Sequence, residues 1–158
     1  MTTVRKDVAL AIRLEDCDKG VEKALSFLAG QSIRVRCHSS YCDRDRLVIL
    51  AIVDNPKHTQ SVLQAAGYHC QLEDVVIISL PSYRPGIIAR FGWLLAHAGI
   101  NILSSHLTTI DPDDFCVIFK TTNNQQAVRL LDVAIRTPLF DEESASSSME
   151  ATKNGCFV

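Results

Sequence analysis

The sequence predicts an α+β fold made of two similar units that follow one another along the chain. Runs of alternating apolar and polar residues, typical of half-buried strands, are interleaved with runs whose apolar residues recur every three or four positions, typical of amphipathic helices. The order strand, helix, strand, strand, helix occurs twice. Leu28 corresponds to Leu95 and Ile33 to Ile100, so the repeat offset is about 67 residues.

The first unit opens on a strand in which Val8, Leu10, Ile12 and Leu14 alternate with other residues. The run 47–53 is apolar throughout, which indicates a central strand. We expect the polar run 38–46 to be a hairpin loop. The predicted elements of this unit are a strand at 8–14, a helix at 21–30, strands at 33–37 and 47–53, a helix at 56–66 and a short edge strand at 69–72.

The second unit repeats this order from residue 75 onward. Its helix places Ile88, Phe91 and Leu95 on one face and ends at Gly99. Asp111 and Pro112 indicate a turn between its second and third strands. The predicted elements are a strand at 75–80, a helix at 87–98, strands at 100–109 and 115–121, and a helix at 125–136.

The stretch 82–101, SYRPGIIARFGWLLAHAGIN, carries the most specific pattern in the chain. Pro85 has a fixed φ and no N–H, which suits the first turn of a helix. Gly86 allows another group to approach the backbone closely. The free N–H groups of Ile87 and Ile88 then form a candidate anion site. This stretch resembles the signature of the ACT domain, a βαββαβ regulatory module that often binds amino acids.

The resemblance covers about residues 7–140 and implies a stand-alone protein with two ferredoxin-like, ACT-like units in tandem, each an antiparallel sheet with its helices on one face. We expect unit 1 at 1–73, unit 2 at 74–140 and a disordered tail at 141–158, which is acidic and has no apolar face. In this family an effector commonly binds between the turn and a facing domain. The residues that the resemblance assigns to ligand binding are Tyr83, Arg84, Pro85, Gly86, Ile87, Ile88 and Asn101.

The first unit departs from this pattern. Its turn, Asp18-Lys19-Gly20, has no proline, and Arg34 stands where Asn101 stands in the second unit. A carboxylate of Asp16 or Asp18 is expected to cap the following helix. We therefore expect one ligand site rather than two equal ones. The alternative for the turn at Pro85 is that it only begins a helix.

Composition excludes several classes of function. The chain has 158 residues, of which 47% are hydrophobic and 22% charged, and its net charge of −2 offers no basic surface for nucleic acid or anionic membranes. No apolar run approaches the roughly 20 residues of a membrane span, and no signal-peptide pattern is present, so we expect a cytoplasmic protein. The six cysteines form no C-x-x-C pair, and we expect buried reduced thiols rather than disulfides or a zinc site.

No catalytic or cofactor-binding motif occurs, so we expect neither enzyme activity nor a cofactor. His38 and His106 are separated by about 68 residues, close to the repeat offset. They are either two exposed histidines at strand ends or a two-histidine site on a pseudo-twofold axis. The predicted function is a regulatory sensor of an amino acid or similar small metabolite, with a homodimer or a regulated protein as macromolecular partner. The alternatives are a protein-interaction module that binds no metabolite and, less favoured, an enzyme with a site assembled in space.

Overall fold

The computed structural model describes residues 1–15, 17–82, 85–111 and 114–137. This part of the chain forms six strands and four helices. In chain order they are β1 (Thr3–Leu14), α1 (Gly20–Gly30), β2 (Val35–Asp43), β3 (Arg46–Val53), α2 (Pro56–Ala65), β4 (His69–Leu80), α3 (Ile87–His97), β5 (Ile102–Asp111), β6 (Asp114–Thr121) and α4 (Asn124–Arg136). The predicted tail at 141–158 lies outside the described residues.

The six strands form one antiparallel sheet in the order β2-β3-β1-β4-β6-β5. We expected a separate sheet for each unit, and the structure differs because its two central strands are shared. β1 and β4 pair from Thr3 with Ser79 to Arg13 with His69. β3 pairs with the C-terminal part of β1, and β6 pairs with the C-terminal part of β4. Twelve residues give each central strand enough length to serve both halves of the sheet.

Helices α1 to α4 cover one face of the sheet. Cys70 packs with the residues that α1 and α2 bury, and Val76 and Ile78 pack with those that α3 and α4 bury. These three residues are even-numbered positions of β4, so their side chains lie on the same face. Each half therefore has its own apolar core beneath a helix pair. Leu28 of α1 and Leu95 of α3 are fully buried in these two cores.

The opposite face of the sheet is also apolar at its centre. Val75, Ile77, Cys116 and Ile118 form a buried cluster there together with Ile52. These residues are shielded because the sheet curls and its two edge strands, β2 and β5, contact each other. We call this surface the concave face.

Two expected boundaries were wrong. β2 continues through the expected polar loop to Asp43, and the turn consists of Arg44 and Asp45 with φ of 47° and 65°, as a two-residue hairpin requires. The expected edge strand at 69–72 is the beginning of the central strand β4. It pairs with β1, and Arg13 of β1 donates a hydrogen bond to Oε1 of Gln71 at 3.0 Å.

The cysteines also differ in part from expectation. Cys70 and Cys116 are buried thiols and Cys37 is a half-buried thiol, so these three are reduced, as expected. Cys17 and Cys42, however, form a disulfide between the turn before α1 and the end of β2. The pairing was missed because 25 positions separate the two residues in sequence, and only the hairpin β2–β3 brings the end of β2 back towards β1.

Candidate functional site

The N-terminus of α3 lies at an exposed turn, and no side chain of the described residues caps it. Gly86 is the N-cap residue, with a left-handed φ of 85°, and as a glycine it has no side chain that could act as a cap. The first turn of the helix contains no acidic residue. Pro85 and Gly86 are exposed, and Ile87 and Ile88 are half-buried against the core. The first N–H groups of a helix have no partner within the helix, so this end can receive an anion. Tyr83 and Arg84 lie outside the described residues.

Packing holds this helix end in place. Phe91 and Leu95 are fully buried, and the N–H of Arg90 donates to the carbonyl oxygen of Gly86 at 3.0 Å. A Cβ built on Gly86 would meet no atom of the described residues within 4 Å. The glycine is thus required by its backbone angle, and the space above it is open.

Asn101 lies just before β5, at the other end of α3. Its N–H donates to Oγ1 of Thr122 at 3.1 Å, and its carbonyl oxygen accepts from the N–H of Thr122 at 3.0 Å. Its exposed side chain forms no hydrogen bond within the described ranges. The 11 residues of α3 span about 16 Å. Within one chain the structure therefore groups Pro85, Gly86, Ile87 and Ile88 and leaves Asn101 apart.

At the corresponding turn of the first half, leucine side chains occupy the space next to the glycine. Gly20 is buried at the start of α1, where a Cβ would lie 2.5 Å from Cδ2 of Leu47. Glu22 already places a negative charge in the first turn, and the N-cap residue Lys19 forms no side-chain cap. Asp16, one of the two expected caps, lies outside the described residues. Arg34 is exposed.

A cavity of about 300 Å³ lies elsewhere, on the concave face. Of the residues that the sequence assigns to ligand binding, none that the structure describes lines it. Its walls come from the edge strands β2 and β5, and its floor comes from β1, β3, β4 and β6. His38 and His106 both contribute to the lining, so the repeat offset between them was the sequence signal that pointed to this place. Glu73, Lys120 and Ser39 were not predicted.

The two histidines do not form a metal pair. His106 is opposite Ile118 in the sheet register and lies on the concave face, whereas His38 is opposite Ala51, whose side chain lies on the helix face. Among the described residues, no group of three or more histidine, cysteine or acidic side chains is arranged to hold a metal ion. Burial lowers the pKa of His106 and raises the pKa of Cys37, so both groups favour their neutral forms.

Comparison with known proteins identifies the fold. No protein-family model matches the sequence, and no curated protein matches it. Among solved structures, protein BT0572 from Bacteroides thetaiotaomicron superposes with a TM-score of 0.73 at 22% identity, over 85% of this chain and 90% of that one. The regulatory subunit of aspartate kinase from Thermus thermophilus superposes with a TM-score of 0.58 at 18% identity, over 83% and 95%. A structure of aspartokinase alpha and beta subunits gives 0.58 at 19% identity, over 85% and 98%.

These similarities support the resemblance to the ACT domain at the level of the fold. The chain is an α+β protein with six antiparallel strands and four helices in its described part, arranged as in aspartate kinase regulatory subunits. None of the four helices in that part has the length and apolar character that a membrane span needs.

Proposed function

We propose that this chain acts as a regulatory sensor and that it binds a small metabolite, an amino acid, at the N-terminus of α3. The single observation that carries the proposal is that α3 begins at an exposed, left-handed Gly86, where the described residues supply no side-chain cap and the first helical turn holds no acidic residue. A ligand carboxylate there would satisfy the free N–H groups of Ile87 and Ile88 and complement the helix dipole. The tandem units at 1–73 and 74–140 are part of this proposal.

The position of Asn101 extends the proposal to a homodimer. One chain cannot bring its Asn101 to its own Gly86, because the length of α3 separates them. In a symmetric pair, Asn101 of one copy would face residues 83–88 of the other, and both sites would be equivalent. The amide of Asn101 would then donate to and accept from the ligand.

We propose one amino-acid site per chain, at α3 and not at α1. The turn before α1 lacks the space, because Leu47 and Leu14 occupy the position above Gly20. Its first turn also carries Glu22, which would repel a carboxylate.

The first experiment is a thermal-shift screen of the twenty amino acids, followed by calorimetric titration of the one that stabilises the protein. At a ligand concentration 100-fold above Kd, binding adds about 2.7 kcal/mol to the free energy of unfolding. Asn101→Ala should weaken binding by about 1–3 kcal/mol if its amide contacts the ligand. Arg34→Ala, the same change at the corresponding position of the first half, should leave the affinity unchanged. Equal losses in the two variants would contradict the single site.

A second pair of variants tests the turn. Gly86 and Gly67 share a φ of 85° and an open position above the Cα atom. Alanine at either position strains the backbone by a similar amount, about 1–2 kcal/mol. Only Gly86→Ala should weaken amino-acid binding, because only there does the new methyl group stand beside the ligand.

The interaction module is the second candidate function. It is favoured by the apolar side chains that α3 and β5 expose, namely those of Trp93 (58%), Leu103 (59%) and Leu107 (49%). If no amino acid shifts the melting temperature, and Leu107→Lys abolishes self-association in sedimentation without changing the fold, this second function replaces the sensor.

A further inference from the structure

The cavity on the concave face has the composition of a binding site rather than of a packing defect. Its floor is apolar and includes Ala9, Ile52, Val75 and Ile118. Polar residues line its rim on both edge strands, with Ser39 on β2 and Ser104 and His106 on β5. Its volume of about 300 Å³ suits a molecule of a few carbon atoms with one polar end.

Two buried polar atoms in this lining have no partner. Oγ of Ser39 and Nε2 of His106 are inaccessible to solvent, and neither forms a hydrogen bond within the described residues. One atom belongs to each of the two edge strands. Buried polar groups are nearly always paired, so unpaired atoms on two residues that line the same cavity indicate that a hydrogen-bonding partner is missing at this place.

The charge at one end of the cavity determines which ligand fits. Glu73 lies between two cations: Lys120 Nζ donates to its Oε2 at 2.7 Å, and Arg13 contacts its Oε1 at 3.4 Å. Arg13, which lies outside the lining, shares the negative charge of Glu73, so the ammonium group of Lys120 is only partly neutralised and can attract a ligand anion. Lys120 is the diagonal neighbour of His106 across the β5–β6 pair, since His106 is opposite Ile118. A carboxylate can therefore contact both residues.

We propose that this cavity binds a small aliphatic carboxylic acid, distinct from the site at α3. Its carboxylate accepts hydrogen bonds from Lys120, His106 and Ser39, and its hydrocarbon chain lies on Ile52, Val75 and Ile118. A free amino acid fits less well, because its ammonium group would need an acceptor and Glu73 is already held by two cations. The ligand joins the two edge strands, and so joins the two halves of the sheet.

The experiment titrates the protein with three probes of the same shape: 4-methylpentanoate, its amide 4-methylpentanamide, and leucine. Calorimetry measures affinity, and the imidazole NMR signals of His106 report occupancy of the cavity. We expect saturable binding of 4-methylpentanoate to one site per chain with a shift of the His106 signals. The amide should bind about tenfold more weakly, because it lacks the charge, and leucine should not shift the His106 signals.

Matched variants locate the site. Ser39→Ala and His106→Gln should each raise the Kd of 4-methylpentanoate about tenfold. Ser40→Ala is the control, because Ser40 is an exposed neighbour that pairs with Ile49 on the other face. Ser39→Ala removes an unpaired hydroxyl and should keep the fold, which circular dichroism checks. Asn101→Ala should leave this affinity unchanged, so failure here is separable from failure at α3.

Three results would overturn the proposal. The first is the absence of saturable binding of 4-methylpentanoate to the folded protein. The second is an affinity that Ser39→Ala and His106→Gln change no more than Ser40→Ala does. The third is equal binding of leucine at His106, which would show that the cavity does not select against an ammonium group.

Discussion

The turns before α1 and before α3 occupy corresponding places in the two halves, yet their glycines have different structural roles. Gly20 is buried, and a Cβ there would meet Leu47 and Leu14. Gly86 is exposed, with nothing within 4 Å of the same hypothetical atom, but its φ is 85°. One glycine makes room for the core of its own half, and the other holds a backbone angle that leaves a helix end open.

The two turns also differ in the covalent bonds and charged residues around them. A disulfide at Cys17 ties the first turn to the end of β2, and Glu22 complements the N-terminus of α1. The second turn has neither feature among its described residues. The first turn is thus held by a covalent bond and by a charge that complements its helix, and the described part of the second turn has neither.

The largest loss of stability is expected from truncating a core residue in either half, and these variants test whether the two halves unfold together. Leu28→Ala and Leu95→Ala truncate corresponding, fully buried residues, so each should reduce the free energy of unfolding by about 2–5 kcal/mol. Because β1 and β4 belong to both halves, each variant should shift a single transition. Trp93 is the only tryptophan in the sequence and lies in the second half, so its fluorescence should report the loss caused by Leu28→Ala. An unchanged Trp93 transition in that variant would show that the halves unfold separately.

Leu103→Ala is the control for that pair. Leu103 is 59% exposed, and its truncation should change stability by less than about 0.5 kcal/mol.

Removal of the disulfide, which only the first half has among the described residues, should cause the next largest loss in the free energy of unfolding. It closes a loop across 25 positions, so removing it as Cys17→Ser/Cys42→Ser should cost about 3 kcal/mol under oxidising conditions. Thermal melts with and without a thiol reductant measure this. With reductant the variant and the wild type should melt at similar temperatures, and a difference that persists would mean that the serines themselves disturb the turn.

A comparison of Gly20→Ala with Gly86→Ala separates the stability lost to steric crowding from the stability lost to backbone strain. The first forces Leu47 and Leu14 to move and should cost about 1–3 kcal/mol. The second adds a methyl group in open space at a positive φ and should cost about 1–2 kcal/mol. Chemical denaturation measures both. A more stable Gly20→Ala protein would show that Leu47 has room to move and that the contrast between the turns is wrong.

The smallest effect is a pH dependence that arises at His106. Burial lowers the folded-state pKa of His106 below its ordinary value of 6.5, so the unfolded state binds the proton more readily. The stability associated with the neutral ring is complete above pH 6.5 and decreases as the pH falls from there towards the folded-state pKa. His106→Gln should remove part of this decrease, whereas His38→Gln on the other edge strand should retain it. Denaturation curves between pH 7 and pH 5 decide the outcome.

Much of the fold followed from local patterns. The helices were predicted within one residue of their bounds, because their apolar residues recur at helical spacing and Asn55 or Gly86 stands at the start. The strand at 47–53 was found because only a central strand is apolar throughout. β4 was not recognised as one strand because Glu73 and Asp74 interrupt its apolar pattern. Its polar residues are neutralised by Arg13, Lys6 and Lys120, which are distant in sequence.

The sequence by itself determined the helices, the repeated order of the elements and the difference between the turn with Pro85 and the proline-free turn Asp18-Lys19-Gly20, because all of these depend on residues close together in the chain. The tertiary structure decided that the halves share one sheet, that Cys17 meets Cys42, and that Ser39 and His106 line one cavity without partners. It also decided that α3 separates Asn101 from Gly86. The physical reason is that strand pairing and sheet curvature bring together residues from different parts of the chain, and no local periodicity records which strands will meet.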